Sequence, residues 1–307
     1  MQDMPERGTL ISVTLPAALS IPWKWHRVVV NYIRVLKPKE TLLLWFIGLC
    51  SALAAAGGKP PALDFLLVAL AVLMGCGGAN GLTNYLDRHV DARMARTRHR
   101  TIPSGLISPA EKGLAWSALL VAVALGIAFY LHPYAFAAGA VGVVAAVIAR
   151  KTWATHFLGA ISSTGPVLVA WFSVRPQFDI TIALLALVVL LWVPVHVWNL
   201  MLTWRDDYIQ AGVNIFPLTR GARLTSAISL GFCLAMLATV VLLWRFGDPG
   251  PLYLVMAATP GAAMVAVGAV ALWKPSRSGT FRVFKLSAYP FLGMSFLGLV
   301  IDAWLRL

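Results

Sequence analysis

Long apolar stretches separated by brief polar punctuation run through most of the chain. Nine windows are apolar and long enough, or nearly so, to cross a bilayer as helices: roughly 41–58, 62–85, 113–131, 133–149, 155–174, 180–204, 224–245, 251–273 and 286–305. The fourth is the shortest. Gly57-Gly58-Lys59-Pro60-Pro61, His132-Pro133 and Gly247-Asp248-Pro249-Gly250-Pro251 between windows carry turn chemistry. Two connections, 86–112 and 205–223, are much longer than the rest. The pattern predicts an all-α, multi-pass membrane bundle of nine transmembrane helices over 41–307, preceded by a cytoplasmic lead-in over 1–40. Within that lead-in, residues 10–37 set Trp23, Trp25 and Tyr32 among Lys24, Arg27 and Arg34, as in a segment lying along a membrane surface.

Composition narrows the class. Of 307 residues, 59% are hydrophobic and only 12% are charged, with a mean hydropathy of +0.78. A soluble domain carries about 25% charged residues, so a disordered chain, a collagen-like chain and an ordinary cytosolic enzyme are excluded. The net charge of +13 would suggest nucleic acid in a soluble protein. Here 21 of the 25 basic residues fall before the first window or in the even-numbered connections. The positive-inside rule therefore expects a protein of the cell (inner) membrane, with the lead-in and both long loops cytoplasmic, and it disposes of nucleic acid. Asp3 and Glu6 beside Arg7 do not make the basic n-region of a signal peptide. Cys50, Cys76 and Cys233 lie in apolar runs and read as small core residues.

Acidic residues are scarce, which makes their positions informative. Asp87 and Asp91 open the first long loop, and Asp206 and Asp207 open the second. Asn80, Asn84, Asp87 and Asp91 are spaced 4, 3 and 4, which confines them to an arc of about 60° on a helix. The stripe continues into Arg93, Arg96, Arg98 and Arg100. His196, Asn199, Thr203 and Asp207, spaced 3, 4 and 4, share a second face of about 80°. Carboxylates beside arginines at a membrane surface suit a diphosphate. Mg²⁺ bridges carboxylates to phosphate oxygens, and arginine forks bind the remaining oxygens. Together they stabilise diphosphate as a leaving group. Tyr85, Trp198, Trp204 or Tyr208 offers a face for a cationic fragment.

The run Asn84-Tyr85-Leu86-Asp87-Arg88-His89-Val90-Asp91 resembles the first aspartate-rich motif of the UbiA superfamily of intramembrane prenyltransferases. Asp91-Ala92-x-Met94-x-Arg96-Thr97-x-x-Arg100, then Gly105-x-Ile107-Ser108, is similar to the haem O synthase branch (protohaem IX farnesyltransferases). So are His196-x-Trp198, Arg205-x-Asp207-Tyr208-x-x-Ala211-Gly212-Val213, and Lys37-Pro38-Lys39 before the first window. The resemblance implies nine helices around a central cavity open to the cytoplasm, capped by 86–112 and 205–223. It also implies transfer of farnesyl from farnesyl diphosphate to a vinyl group of haem b with Mg²⁺ as cofactor. Membrane lipid would surround the protein, and a haem A synthase or terminal oxidase assembly would be its neighbour. By the family pattern Asn80, Arg96, Arg100 and His196 match functional positions, and Asp87 and Asp91 match the Mg²⁺–diphosphate motif.

The candidate catalytic residues are thus Asp87, Asp91, Asp207 and His196, with Asp87 and Asp91 as metal ligands. Asn80, Asn84, Arg88, Arg96, Arg100, Arg205 and Tyr208 are the candidate substrate-binding residues. Plainer roles stand beside these. Carboxylates at helix ends cap and pair, arginine runs set topology, and asparagines in apolar helices join neighbours. A lone histidine near a helix end is usually structural, whereas here a haem-iron ligand or an acid–base group is the alternative. Asp302 is expected to cap or to pair with Arg306. A UbiA-type enzyme with another acceptor (a quinone precursor, chlorophyllide or glycerol ether lipid) is the second reading, and a non-enzymatic transporter the third.

Overall fold

Backbone amides have no water to bond in hydrocarbon, so the apolar windows close their hydrogen bonds within helices. The computed structural model describes residues 21–306. Asp3, Glu6, Arg7 and the first part of the predicted surface segment lie outside the described residues. Helices α1 (Ile21–Arg34), α2 (Pro38–Ala55), α3 (Ala62–Leu86), α4 (Arg88–Arg93), α5 (Glu111–Leu131), α6 (Pro133–Ile148) and α7 (Thr155–Val174) form the first half. They are followed by α8 (Ile180–Thr203), α9 (Arg205–Gln210), α10 (Ala222–Phe246), α11 (Pro251–Trp273), α12 (Arg277–Leu286) and α13 (Met294–Leu305). Among the described residues, eight helical stretches are long and apolar enough to span, counting Arg277–Leu305 as one. The remaining window, the fourth, is α6, whose 16 residues rise only about 24 Å. The described residues are all-helical apart from turns and connections.

The last span is broken. A π-helical turn, Ser287–Gly293, joins α12 to α13, and Ala288 (ψ −114°) is non-helical two residues before Pro290. The interruption frees the Ser287 carbonyl, which accepts the Trp192 indole N–H at 2.7 Å. His196 on α8 contacts the Ser287 hydroxyl at 3.0 Å. A helix break in a membrane persists only where neighbours satisfy it in this way.

Small residues set the closest helix contacts, as expected where lipid and core are equally apolar. Gly78 and Gly81 on α3 face Ser117 on α5. A Cβ on Gly78 would lie 2.8 Å from both the Ser117 carbonyl oxygen and Val121. Gly142 on α6 and Gly165 on α7 meet almost backbone to backbone. A buried core around Ile47, Trp171, Val189, Met236, Tyr253 and Phe296 holds the remaining helices. Away from the long loops, Asp302 accepts the Gly250 N–H at 2.6 Å and pairs with Arg306 at 2.8 Å, as expected from sequence.

Both long connections lie at one end of the bundle. The Asp207 carboxylate accepts the backbone N–H groups of Ala95 (2.6 Å) and Arg96 (3.1 Å). Met94 is buried against Met201, Tyr208, Val213 and Leu218. The chain after α1 joins the first loop through Val35, Ile102 and Ile107.

Candidate active site

A cavity of about 360 Å³ runs between α2, α3, α5, α6, α7 and α8. Its body is lined by side chains too small to fill it, including Ala71, Gly75, Ala79, Ala124, Ala128, Gly139, Gly142 and Gly165. From Asp87 to Ala71 it follows α3 for about 24 Å. One end is polar, with Lys37, Asn80, Thr83, Asp87, Arg150 and Lys151 around it. An apolar slot ending in charge suits an amphiphile with one anionic head.

The charges at the polar end are arranged in pairs. Asp87 pairs with Arg150, and its second oxygen lies 3.7 Å from the Lys151 ammonium. Asp91, on α4, is 1% exposed and pairs with Lys151 at 2.6 Å and with Arg100 at 2.7 Å. Burial pushes the Asp91 carboxyl up, and the Arg100 and Lys151 charges more than offset it, so its pKa lies below the usual carboxylate range. Lys37 donates to the Thr83 hydroxyl at 2.9 Å, and Arg150 donates to the Thr83 carbonyl at 3.0 Å. Burial, reinforced by the Arg100 charge, lowers Lys37 to about 8. Lys37 (φ 51°) and Lys151 (φ 29°) are the two non-glycine residues with positive φ among the described residues. Such conformations persist where the surroundings over-determine them, commonly at sites.

Magnesium takes one or two carboxylates and completes its shell with water and phosphate oxygens. Asp87 and Asp91 already share one cation, the Lys151 ammonium, and they supply the hard oxygen donors that Mg²⁺ prefers. The pair therefore fits a divalent ion. Among the described residues no three His, Cys, Asp or Glu side chains form a cluster that could hold a metal, so the phosphate would contribute the other ligands.

The sequence-predicted residues do not all meet here. Asn80 and Asp87 line the cavity, and Asp91 and Arg100 back it. Asn80 donates to Thr41 at 2.9 Å. Asn84 is buried and donates to the Val35 carbonyl at 2.5 Å, with its oxygen 3.4 Å from Arg100. The predicted stripe is thus divided: α3 stops at Leu86, and Thr83 stands on the cavity side where Asn84 does not. Arg88 turns back over Tyr85, 4.1 Å from the ring centre. Arg96 donates to the Tyr208 hydroxyl at 3.1 Å. Burial pushes the Tyr208 phenol up. Arg205 donates to the Leu218 carbonyl at 3.3 Å.

The second predicted face packs against other helices. His196 reaches Ser287 and stacks on Trp192, with ring centres 4.7 Å apart. Asn199 donates to Ser229 on α10 at 2.8 Å, and Thr203 meets Thr280 on α12 at 3.0 Å. Trp198 donates its indole N–H to His156 at 2.9 Å. Arg96, Arg205, Asp206 and Asp207 instead line a second cavity at the same end. Sequence reading missed Arg150 and Lys151 as site residues. Their one signal was adjacent charge in a short connection on the side holding both motifs.

An apolar slot with aspartates and cations at one end fits an intramembrane prenyltransferase. The chain belongs to the UbiA prenyltransferase family, whose family pattern matches residues 43–292. It is similar to protohaem IX farnesyltransferases. That of Desulforudis audaxviator is 33% identical over 90% of this chain and 89% of its own. Protohaem IX farnesyltransferase 1 of Picrophilus torridus is 34% identical over 85% and 90%. In fold it is similar to a digeranylgeranylglyceryl phosphate synthase (TM-score 0.75, 17% identity, covering 91% of this chain and 99% of that one). It is also similar to a UbiA homologue from Archaeoglobus fulgidus bound to GPP and Mg²⁺ (TM-score 0.63, 13% identity, 88% and 99%).

Proposed function

We propose that this prenyltransferase moves a farnesyl group from farnesyl diphosphate to a vinyl carbon of protohaem IX, giving haem O. The names of its relatives support the acceptor and the donor. The observation that carries the chemistry is Asp87 and Asp91 sharing one cation at the charged end of a slot lined by small residues. Asp87 and Asp91 would hold Mg²⁺, which supplies charge to the departing diphosphate. Lys37, Arg150, Lys151 and Arg100 place further positive charge beside the same oxygens. The slot between α3, α5, α6 and α7 aligns the allylic chain and keeps water from its length. The vinyl carbon attacks the allylic carbon as the C–O bond to diphosphate breaks. Water then adds to the resulting cation and a proton is lost. The positive-inside tally supports an inner-membrane enzyme with this end in the cytoplasm.

The test is direct. Purified protein with protohaem IX, farnesyl diphosphate and Mg²⁺ should yield a pigment heavier by one hydroxyethylfarnesyl modification, and a chelator should stop it. Prenylation of 4-hydroxybenzoate with no effect on haem would overturn the acceptor.

A further inference from the structure

The second cavity, about 500 Å³, opens at the same end as the two long loops and has a different electrostatic character. At the first cavity both aspartates are paired with cations. At the second, Arg96, Arg205 and Arg277 line the wall, and among the described residues none of them lies within 4.0 Å of a carboxylate. Asp207, also on the wall, is committed to the Ala95 and Arg96 amides. Asp206 and Asp207 set two counter-charges against three guanidinium groups, which leaves the wall with an excess of positive charge. The Arg96 Nε is buried without a hydrogen-bond partner. A desolvated guanidinium donor left unpaired is costly, so the protein itself does not fully satisfy this arginine. The Arg277 guanidinium carbon sits over the Trp204 ring, 4.6 Å from its centre, so an aromatic face and a cation meet on one side of the cavity.

We propose that this second cavity binds the carboxylates of the acceptor, with Arg96, Arg205 and Arg277 as donors. The identity of the acid rests on the acceptor reading above, since protohaem IX carries two carboxylates on one edge of a planar, otherwise apolar ring. The anion preference rests on the arginines alone. Guanidinium forks match carboxylate geometry in two-point contacts, which a neutral ester cannot reproduce.

The experiment uses the full chain in phosphatidylcholine nanodiscs, titrated with protoporphyrin IX and with its dimethyl ester while porphyrin fluorescence is followed. The diacid should bind about tenfold or more tightly than the diester. Arg277→Gln should abolish most of that preference and Arg277→Lys should keep part of it. Arg205→Gln provides a second variant at an exposed position. Equal binding of diacid and diester by the unmodified protein would overturn the proposal, as would equal weakening of both by Arg277→Gln and Arg205→Gln. Loss of the preference in phosphatidylglycerol nanodiscs would assign the cavity to a lipid phosphate and also overturn it. An Arg277-dependent diacid preference in a protein that fails to farnesylate protohaem would remove the haem reading while supporting an acidic acceptor.

Discussion

The Lys151 ammonium lies 2.6 Å from one oxygen of the Asp91 carboxylate, although the two residues are 60 positions apart and on different helix connections. Asp91 is 1% exposed and Lys151 19%, so the contact is shielded from solvent. Arg100 completes the cation pair around Asp91. A carboxylate this buried depends on its partners, and they depend on it. Asp87, 16% exposed and paired with Arg150, has a wetter environment.

The two aspartates should therefore separate activity from stability. Asp87→Asn and Asp91→Asn should each lower turnover by at least about 100-fold, the scale of removing one electrostatic contributor to a transition state. Asp91→Asn should also destabilise by about 3 kcal/mol, because it leaves buried cations uncompensated. Asp87→Asn should cost clearly less. Turnover with saturating Mg²⁺ and thermal unfolding in detergent measure the two effects. Equal destabilisation by both variants would contradict the burial difference.

Lys37 gives the site a pH dependence. Its pKa is lowered to about 8 by burial and by the Arg100 charge, so it is charged at neutral pH and loses its proton as pH rises through 8. A group with a lowered amine pKa makes the fold pay for the charged form at neutral pH, and that cost fades between about 8 and 10.5. Catalysis moves the opposite way, since a neutral amine no longer attracts diphosphate. The kcat/KM for farnesyl diphosphate should fall above pH 8, approaching tenfold per unit at its steepest, as for any single essential proton. Lys37→Arg should flatten this limb, whereas an unaltered limb would assign it to another group. Asp91, held below the usual carboxylate range, contributes its full stability above about pH 3.8 and loses it only as pH falls further.

Gly78 holds α3, the helix that ends at Asp87, close against α5. A Cβ there would meet the Ser117 carbonyl and Val121 at 2.8 Å, so Gly78→Ala must push α3 from α5 and tilt the end that bears Asp87. A loss of about 1–3 kcal/mol is expected, with reduced turnover. Gly126, on α5, has nothing within 4 Å of an added Cβ, and Gly126→Ala should leave both properties nearly unchanged. Comparable melting temperatures for the two variants would argue against close contact at Gly78.

Hydropathy made the spans legible because every helix crossing hydrocarbon needs an apolar run. It also marked the fourth span, α6, as the shortest, but it could not show that the last span unwinds at Ala288. Asp87, Asp91 and Arg100 were legible because they are close in sequence and short-range geometry brings them together. Lys37, Arg150 and Lys151 come from other connections; before folding, Lys37 registered only within the Lys37-Pro38-Lys39 resemblance and as a topology charge, and Arg150 and Lys151 only as topology charges. The His196–Asn199–Thr203 face shows the complementary limit. Periodicity states which residues share a face, but the neighbour is set by tertiary packing, and here that neighbour is Ser229, Thr280 and Ser287.

The slot should measure the prenyl chain. Ala79 lines it and sits eight residues before Asp87 on α3, a rise of about 12 Å from the charged end. Its side chain leans toward the helix N-terminus and so toward the apolar depth of the slot. Ala79→Leu would place a branched side chain where the later carbons of a farnesyl group must pass, while a shorter donor would end before it. The variant should lose about 10–100-fold in kcat/KM for farnesyl diphosphate, the scale of a 1–3 kcal/mol steric penalty. It should lose much less for dimethylallyl diphosphate, whose short chain ends before this point, so that the ratio of the two donors changes at least about tenfold. Side-by-side turnover with both donors measures this ratio. An equal loss for both would mean that the chain follows another path, because damage to the diphosphate end alone cannot discriminate by length.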